Sequence, residues 1–337
     1  MKEKLIKIQN NLLSLPTKIK DGYSFFIDYL FTIISKSKNL SKTNYELGLF
    51  HLNKGNFYDA KMRFIFAIKM KKDFALAYYH LSRCYLNNFD YQKAKIELEK
   101  ALSLDSSLSL AKTRLDFINK DFIGNSIPIE IIKEDFETIA FKYEESMVQN
   151  NYAIYDTLVN NIVSAMEPIE ENDNSYACLD LGCGTGLVGA ALVEKVAIKS
   201  LVGVDISINM LNLAKLLEID NKSVYSKILE DDINSLSLVD GKFDIITACM
   251  SLCYCSDLSI IMNNLDKFSN SGTILGVVVL KSELQDIIFD YSYNCFAFSK
   301  GFLEKLFKQY NWKIKKEEDV LFSGNVSGHV FILVKNG

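Results

Sequence analysis

The stretch Leu179-Asp180-Leu181-Gly182-Cys183-Gly184-Thr185-Gly186-Leu187-Val188-Gly189 decides the fold. It lies between an apolar run over 176–181 and a helical pattern that starts near Leu187. A second apolar run, 201–204, follows and ends in Asp205. A strand that stops in a glycine-rich turn and opens a helix brings bare backbone N–H groups up to a ligand. The next strand then places a carboxylate within reach of a ribose. The pattern predicts a nucleotide-type pocket.

The 337 residues suffice for two domains, each burying its own core, with 49% hydrophobic and 24% charged residues as in soluble globular chains. Three prolines and sixteen glycines argue against long linkers. The cysteines number seven, which is odd, and six lie in or beside apolar runs of the second half, so reduced thiols fit better than a disulfide frame. A membrane helix needs about 20 apolar residues. The best candidate, Tyr23 to Ile34, is 12 residues long and carries Asp28, and no signal peptide is recognisable. A cytoplasmic location is the expectation.

Charge is unevenly spread. Residues 1–120 carry a net +10 and the remainder a net −14, an asymmetry that separates domains with different tasks. Arg63, Arg83 and Arg114 are the only arginines, so no guanidinium clamp for phosphate or guanine is present after residue 120. Aromatic and basic residues are not interleaved there, which disfavours a nucleic-acid substrate.

Upstream, two segments align at a spacing of 34 residues. Leu47, Gly48, Gly55, Phe57, Ala60, Phe64 and Ala67 recur as Leu81, Ser82, Phe89, Tyr91, Ala94, Leu98 and Ala101. Small residues let the two helices of each unit approach closely, and stacking of units closes the core. The pattern resembles the tetratricopeptide repeat. Clear repeats are expected at 41–74 and 75–108, with a capping helix at 109–120, inside a helical domain over 1–122. Residues 7–40, with Leu13, Phe26, Leu30 and Ile33, are read as a degenerate first repeat. Two readings of this domain stand: a groove for a protein partner, or a stabilising arm with a solvated lysine surface.

Over 123–337 the second domain alternates strands near 176–181, 200–205, 223–229, 243–249, 272–280, 312–322 and 328–335 with helices near 186–197, 208–218, 257–268 and 299–310. This predicts an α/β doubly wound, Rossmann-like sheet. The short connection 323–328 forces an antiparallel hairpin at its end. That architecture resembles the class I S-adenosylmethionine-dependent methyltransferases, and Asp180-Leu-Gly182-Cys183-Gly184-Thr-Gly186 is similar to their acidic-x-G-x-G-x-G loop. Gly184 to Gly189 also satisfies the dinucleotide G-x-G-x-x-G pattern. Asp180 weighs against a pyrophosphate and suits a cofactor with an ammonium and a sulfonium.

The resemblance implies further roles. Asp205 meets the ribose hydroxyls, Ile206 and Met210 are further cofactor-binding residues, and Asp232 with the Ile233 backbone N–H meets the adenine edge. Cys249 and Met250 line the methionine end. Glu230 and Asp231 read as a solvated acidic turn. The leading helix, Asp135 to Met147, is similar to one that folds over the cofactor in small-molecule members. Tyr143 and Tyr254 are the candidate catalytic side chains, with packing over the cofactor the simpler role for each. His329 reads as a core or edge residue. The thiols at 249, 253 and 255 lack the ligand spacing of a metal site.

The resemblance also covers the order of domains, which occurs in bacterial proteins. Two departures from the repeat-bearing members stand out: Met250 replaces an acidic residue, and Cys295 and Phe298 occupy a segment where Arg and His are usual. The resemblance implies methyl transfer to an acceptor, a small molecule favoured over a protein, with no metal, nucleic acid or membrane span. The alternative is a catalytically weak methyltransferase fold that serves as an interaction scaffold.

Overall fold

The computed structural model describes residues 39–150, 153–166, 175–323 and 326–337. The degenerate repeat read over 7–40 falls almost wholly outside the described residues, as do Gly324 and Asn325 of the terminal connection. Contacts divide the chain into two units, one through Lys112 and one from Thr113.

The first unit contains α1 (Leu40–Asn53), α2 (Phe57–Met70), α3 (Ala75–Leu86) and α4 (Tyr91–Leu104), followed by the start of α5 (Ser109–Asn119). The 34-residue periodicity is explained by what these helices bury. Gly48 lies against the Phe64 ring, and a Cβ there would come within 2.6 Å of it. Ser82, Ala60, Ala94, Ala67 and Ala101 are fully buried at the other close approaches. Gly55 and Phe89 occupy equivalent turns with φ of 69° and 56°. Glycine adopts this left-handed geometry freely, and Phe89 does so at a cost of about 1–2 kcal/mol. Asp90 caps α4 by accepting from the Lys93 backbone N–H at 3.2 Å.

The second unit is a sheet flanked by helices. Its elements are α6 (Ile129–Asn150), α7 (Ala153–Ala165), β1 (Tyr176–Leu181), α8 (Leu187–Lys195), β2 (Ile198–Asp205), α9 (Ile208–Ala214), β3 (Glu218–Ile219), β4 (Lys222–Ser223), β5 (Lys227–Glu230) and β6 (Phe243–Cys249). After β6 come α10 (Ser259–Phe268), β7 (Ser269–Lys281), β8 (Ile287–Asp290), β9 (Cys295–Phe298), α11 (Lys300–Gln309), β10 (Trp312–Ser323) and β11 (Val326–Lys335). Among the described residues nine strands form one sheet in the order β10-β11-β7-β6-β1-β2-β5, with β9 beside the end of β7 and β8 beside β9. The five strands β5, β2, β1, β6 and β7 run parallel, and β11 is antiparallel to both β7 and β10. The expected doubly wound sheet with its terminal hairpin is therefore present.

Three elements differ from the sequence expectation. The strand expected over 223–229 is confined to β5, because Asp220 and Asn221 take φ of 51° and 59° and turn β3 back onto β4. The helix expected to reach 218 ends at Ala214. The β8–β9 hairpin had no counterpart in the sequence reading.

Because β1 pairs with both β2 and β6, the chain leaves it in opposite directions on its two sides. A crevice opens at such a switch point, outside the carboxyl ends of the strands.

Candidate functional site

A cavity of about 570 Å³ occupies that crevice, lined at its floor by residues from the ends of β1, β2, β5, β6 and β7. Its roof is α6, whose Ile129, Ile132, Phe136, Ile139 and Tyr143 recur at alternating steps of three and four. That spacing puts them on one helix face. The roof is tied down at several places. Ile127, just before α6, donates its backbone N–H to the Tyr254 carbonyl at 3.0 Å. Further along, the Glu137 carboxylate accepts from the backbone N–H groups of Ile208 (2.8 Å) and Asn209 (3.2 Å) at the start of α9. Lys133 pairs with Glu230 at 2.5 Å. Glu230 is thus an anchor for α6.

The glycine loop divides its work. Gly182, Gly184 and Gly186 all have positive φ, of 69°, 54° and 99°. A Cβ on Gly182 would meet Ser251 Cβ at 2.4 Å, and one on Gly186 would meet Leu217 at 2.9 Å and Tyr225 at 3.0 Å. Those two glycines are required by packing as well as by backbone geometry. A Cβ on Gly184 would meet no protein atom within 4 Å, and Gly184 lines the cavity. Gly182 also reaches the cavity, whereas Gly186 and Cys183 do not line it. The Cys183 thiol is buried beneath the loop.

Asp205 ends β2 and faces the cavity. One carboxylate oxygen accepts from the Gly184 N–H at 2.9 Å and the other from the Ser207 N–H at 2.8 Å. Burial raises its pKa, and the N–H groups of Ser207, Gly184 and Ile206 partly offset the rise. Ile206 and Met210 line the same side.

Asp180 is 1% exposed and does not line the cavity. Its two oxygens accept from the Tyr225 hydroxyl and the Thr247 hydroxyl, each at 2.7 Å. Burial pushes its carboxyl up to about 6, with the two hydroxyls opposing and Asp205 adding to the rise. Of the three carboxylates read as strand-tip groups, Asp205 and Asp232 meet in the cavity while Asp180 lies beneath it.

Asp231 is not solvated as the sequence reading had it. It is 8% exposed and accepts from the Asp232 and Leu238 backbone N–H groups and from the Ser235 and Ser237 hydroxyls. Asp232, beside Ile233 on the cavity wall, accepts from the backbone and side-chain N–H groups of Asn234, both at 2.9 Å. Two side-chain atoms that the sequence reading passed over also lie here. Asn234 Oδ1 and Ser251 Oγ are buried without a hydrogen-bond partner, and both residues line the cavity. Buried polar atoms without partners are rare, and a ligand is one way to satisfy them.

Across the cavity lie Cys249, Met250, Tyr254, Cys255, Ile261, Leu280 and Tyr293. Met250 adopts φ of 60° at the end of β6. Strained backbone of this kind clusters at functional sites. The Tyr143 hydroxyl is 3.3 Å from that of Tyr155, and burial pushes its pKa up to about 12. Burial likewise raises Tyr254 well above its ordinary value, and its ring stands edge-on to Phe136 at 5.7 Å. Neither phenol is a base near neutral pH. Burial also raises Cys249. Cys295 and Phe298 are buried in β9 and do not line the cavity. His329 is 3% exposed on β11 with Nδ1 2.7 Å from Asp319.

Known proteins bear on this geometry. Residues 179–275 match the methyltransferase domain family, and residues 75–108 match the tetratricopeptide repeat, the same span as the second repeat found from the sequence. The chain is 25% identical over 158 residues, 47% of its length and 55% of the relative's, to malonyl-[acyl-carrier protein] O-methyltransferase of Hamiltonella defensa. It is 26% identical over 144 residues, 42% of each chain, to the mitochondrial ubiquinone biosynthesis O-methyltransferase of Saccharomyces cerevisiae. The chain therefore spans about half the length of the curated relatives it matches. Among solved structures, magnesium protoporphyrin IX methyltransferase of Synechocystis PCC 6803 with bound S-adenosylhomocysteine is similar, with a TM-score of 0.49 and 15% identity over 62% of this chain and 99% of that one.

Proposed function

We propose that this chain, which carries an S-adenosylmethionine-dependent methyltransferase domain behind a tetratricopeptide repeat, transfers the cofactor's methyl group to a small-molecule acceptor bound under α6. One observation carries the assignment of the binding site. Gly184 leaves open the space a Cβ would fill, and its N–H fixes the Asp205 carboxylate at the same cavity wall. The fit to the cofactor is chemical as well as spatial. The Gly184, Ser207 and Ile206 N–H groups take up part of the acceptor capacity of Asp205, which leaves room for a ribose hydroxyl. Ile206, Met210 and Ile233 offer apolar walls to a purine, with the unpartnered Asn234 Oδ1 available to its amino group. Asp180, held by Tyr225 and Thr247, does not line the cavity, so any effect of its charge on the cofactor acts at a distance.

The bound cofactor supplies a methyl group on a cationic sulfur. The protein's part is to align the acceptor with that methyl and exclude water. Closure by α6 serves both needs. A roofed cavity of about 570 Å³ suits a small molecule better than a polymer. The two candidate phenols, Tyr143 and Tyr254, are not bases near neutral pH, and in this reading the acceptor presents its own lone pair. The tetratricopeptide repeat supports a protein partner for the first unit.

Calorimetry with S-adenosylhomocysteine tests the reading. The wild-type protein is expected to bind it, and Asp205→Ala to bind at least tenfold more weakly, equivalent to about 1.4 kcal/mol. Unchanged affinity in the variant removes Asp205 from the site.

A further inference from the structure

The cavity's charges are all of one sign. Its lining includes Asp205, Asp231 and Asp232 and no Lys, Arg or His among the described residues. The undescribed residues of this unit, 151–152, 167–174 and 324–325, contain none of these residue types either. Several cations of this unit are engaged elsewhere. Lys133, which follows Ile132 on the roof, is held by Glu230. Lys281, which follows the lining Leu280, is held by Glu283 and Asp319, each at 2.6 Å. Arg114 is held by Glu134 at 3.0 Å and Asp135 at 2.7 Å.

The carboxylates are also unevenly placed. Asp205 and Asp231–Asp232 follow β2 and β5, on the side assigned to the cofactor. The half facing α6, β6 and β7 is walled by Ile132, Phe136, Ile139, Ile261 and Leu280, with tyrosine and serine hydroxyls and the Cys249 and Cys255 thiols as its polar side-chain groups. An anionic acceptor there loses its hydration and gains no cation in return.

We infer that the acceptor is an uncharged, largely apolar compound, and that acceptors carrying a carboxylate or phosphate are rejected. This rests on the methyltransferase reading and sharpens it. In the transfer, the acceptor's lone pair forms the new bond to the methyl carbon and the carbon–sulfur pair stays on sulfur, leaving a thioether. Any proton the acceptor then carries passes to bulk water when the product leaves the cavity.

The test uses two isosteres on one ring system, 2-acetylnaphthalene and 2-naphthoate, which differ in charge and hardly in shape. Binding of each to the full chain saturated with S-adenosylhomocysteine is measured by calorimetry and by saturation-transfer NMR at pH 7.5. The ketone is expected to bind at least tenfold more tightly. Ile132→Lys or Ile139→Lys, which places a cation on the roof, is expected to narrow or reverse that preference. Circular dichroism melting verifies that each variant is folded, and either one suffices. Equal or tighter binding of naphthoate to the wild-type protein overturns the inference, and so does failure of the ketone to bind. If S-adenosylhomocysteine itself fails to bind, the cofactor reading falls, while the contrast between ketone and carboxylate is still measured on the unliganded cavity.

Discussion

Replacing Asp180 by asparagine should make the second unit more stable as pH rises, relative to the parent. In the folded protein burial pushes this carboxyl up to about 6. An aspartate in an unfolded chain titrates near 3.9. Below about pH 4 the group is protonated in both states and contributes no pH dependence. Between about pH 4 and 6 the unfolded chain releases its proton while the folded chain keeps it, so the parent loses stability as pH rises. At 1.36 kcal/mol per unit, a displacement of about two units gives a loss of about 3 kcal/mol, complete above about pH 6. Asparagine does not titrate and escapes this loss.

The amide fits the local bonds. Its oxygen accepts from Tyr225, and its nitrogen donates to Thr247, whose hydroxyl turns to the Leu179 carbonyl 3.5 Å away. The second amide hydrogen is left without a partner, a penalty of about 1 kcal/mol that is the same at every pH. The assay is urea unfolding at pH 4 to 8, followed by fluorescence. The chain's one tryptophan, Trp312, is buried at the start of β10, so the signal reports on the sheet. The advantage of the variant should grow by about 3 kcal/mol from pH 4 to pH 7 and then stay level. A difference that is flat over that range, or that shrinks, refutes the assignment of Asp180 as a buried and strained carboxyl.

Other outcomes follow from the loop and the roof. Gly184→Ala should cost about 1–2 kcal/mol of stability for its left-handed backbone and also abolish S-adenosylhomocysteine binding, because its methyl projects into the cavity. Gly182→Ala adds the 2.4 Å overlap with Ser251, so denaturation should show a larger loss, about 2–5 kcal/mol. Glu137→Ala removes two charge-assisted bonds between α6 and α9. Stopped-flow measurement should show S-adenosylhomocysteine leaving several-fold faster, with on-rates changed little.

Much of this architecture can be read along the chain because its signals are local. The turn after Leu181, the helix beginning at Leu187 and the carboxylate at Asp205 each depend on neighbours a few residues away. The second repeat was legible for the same reason, since its small and large residues recur at a fixed spacing. The division of labour among the glycines is not local. Gly186 is constrained by Leu217 and Tyr225, more than thirty residues further on, and nothing near Gly184 marks it as the one that opens on the cavity. The β8–β9 hairpin lacks a glycine or proline turn signal, and it bends where Asn294 takes φ of 49°.

Asp231 and Asp232 illustrate the remaining difficulty. Adjacent identical side chains in the run Asp231-Asp232-Ile233-Asn234-Ser235-Leu236-Ser237 point to different tasks, and exposure alone separates them. The serines at 235 and 237 were the available clue, since a carboxylate followed by hydroxyls and free N–H groups tends to organise its own turn. With Asp231 committed to that turn, Asp232 and Asn234 are held in place on the cavity wall. The acidic turn is therefore the scaffold of the site, and its burial is what keeps that wall negative and closed to anions.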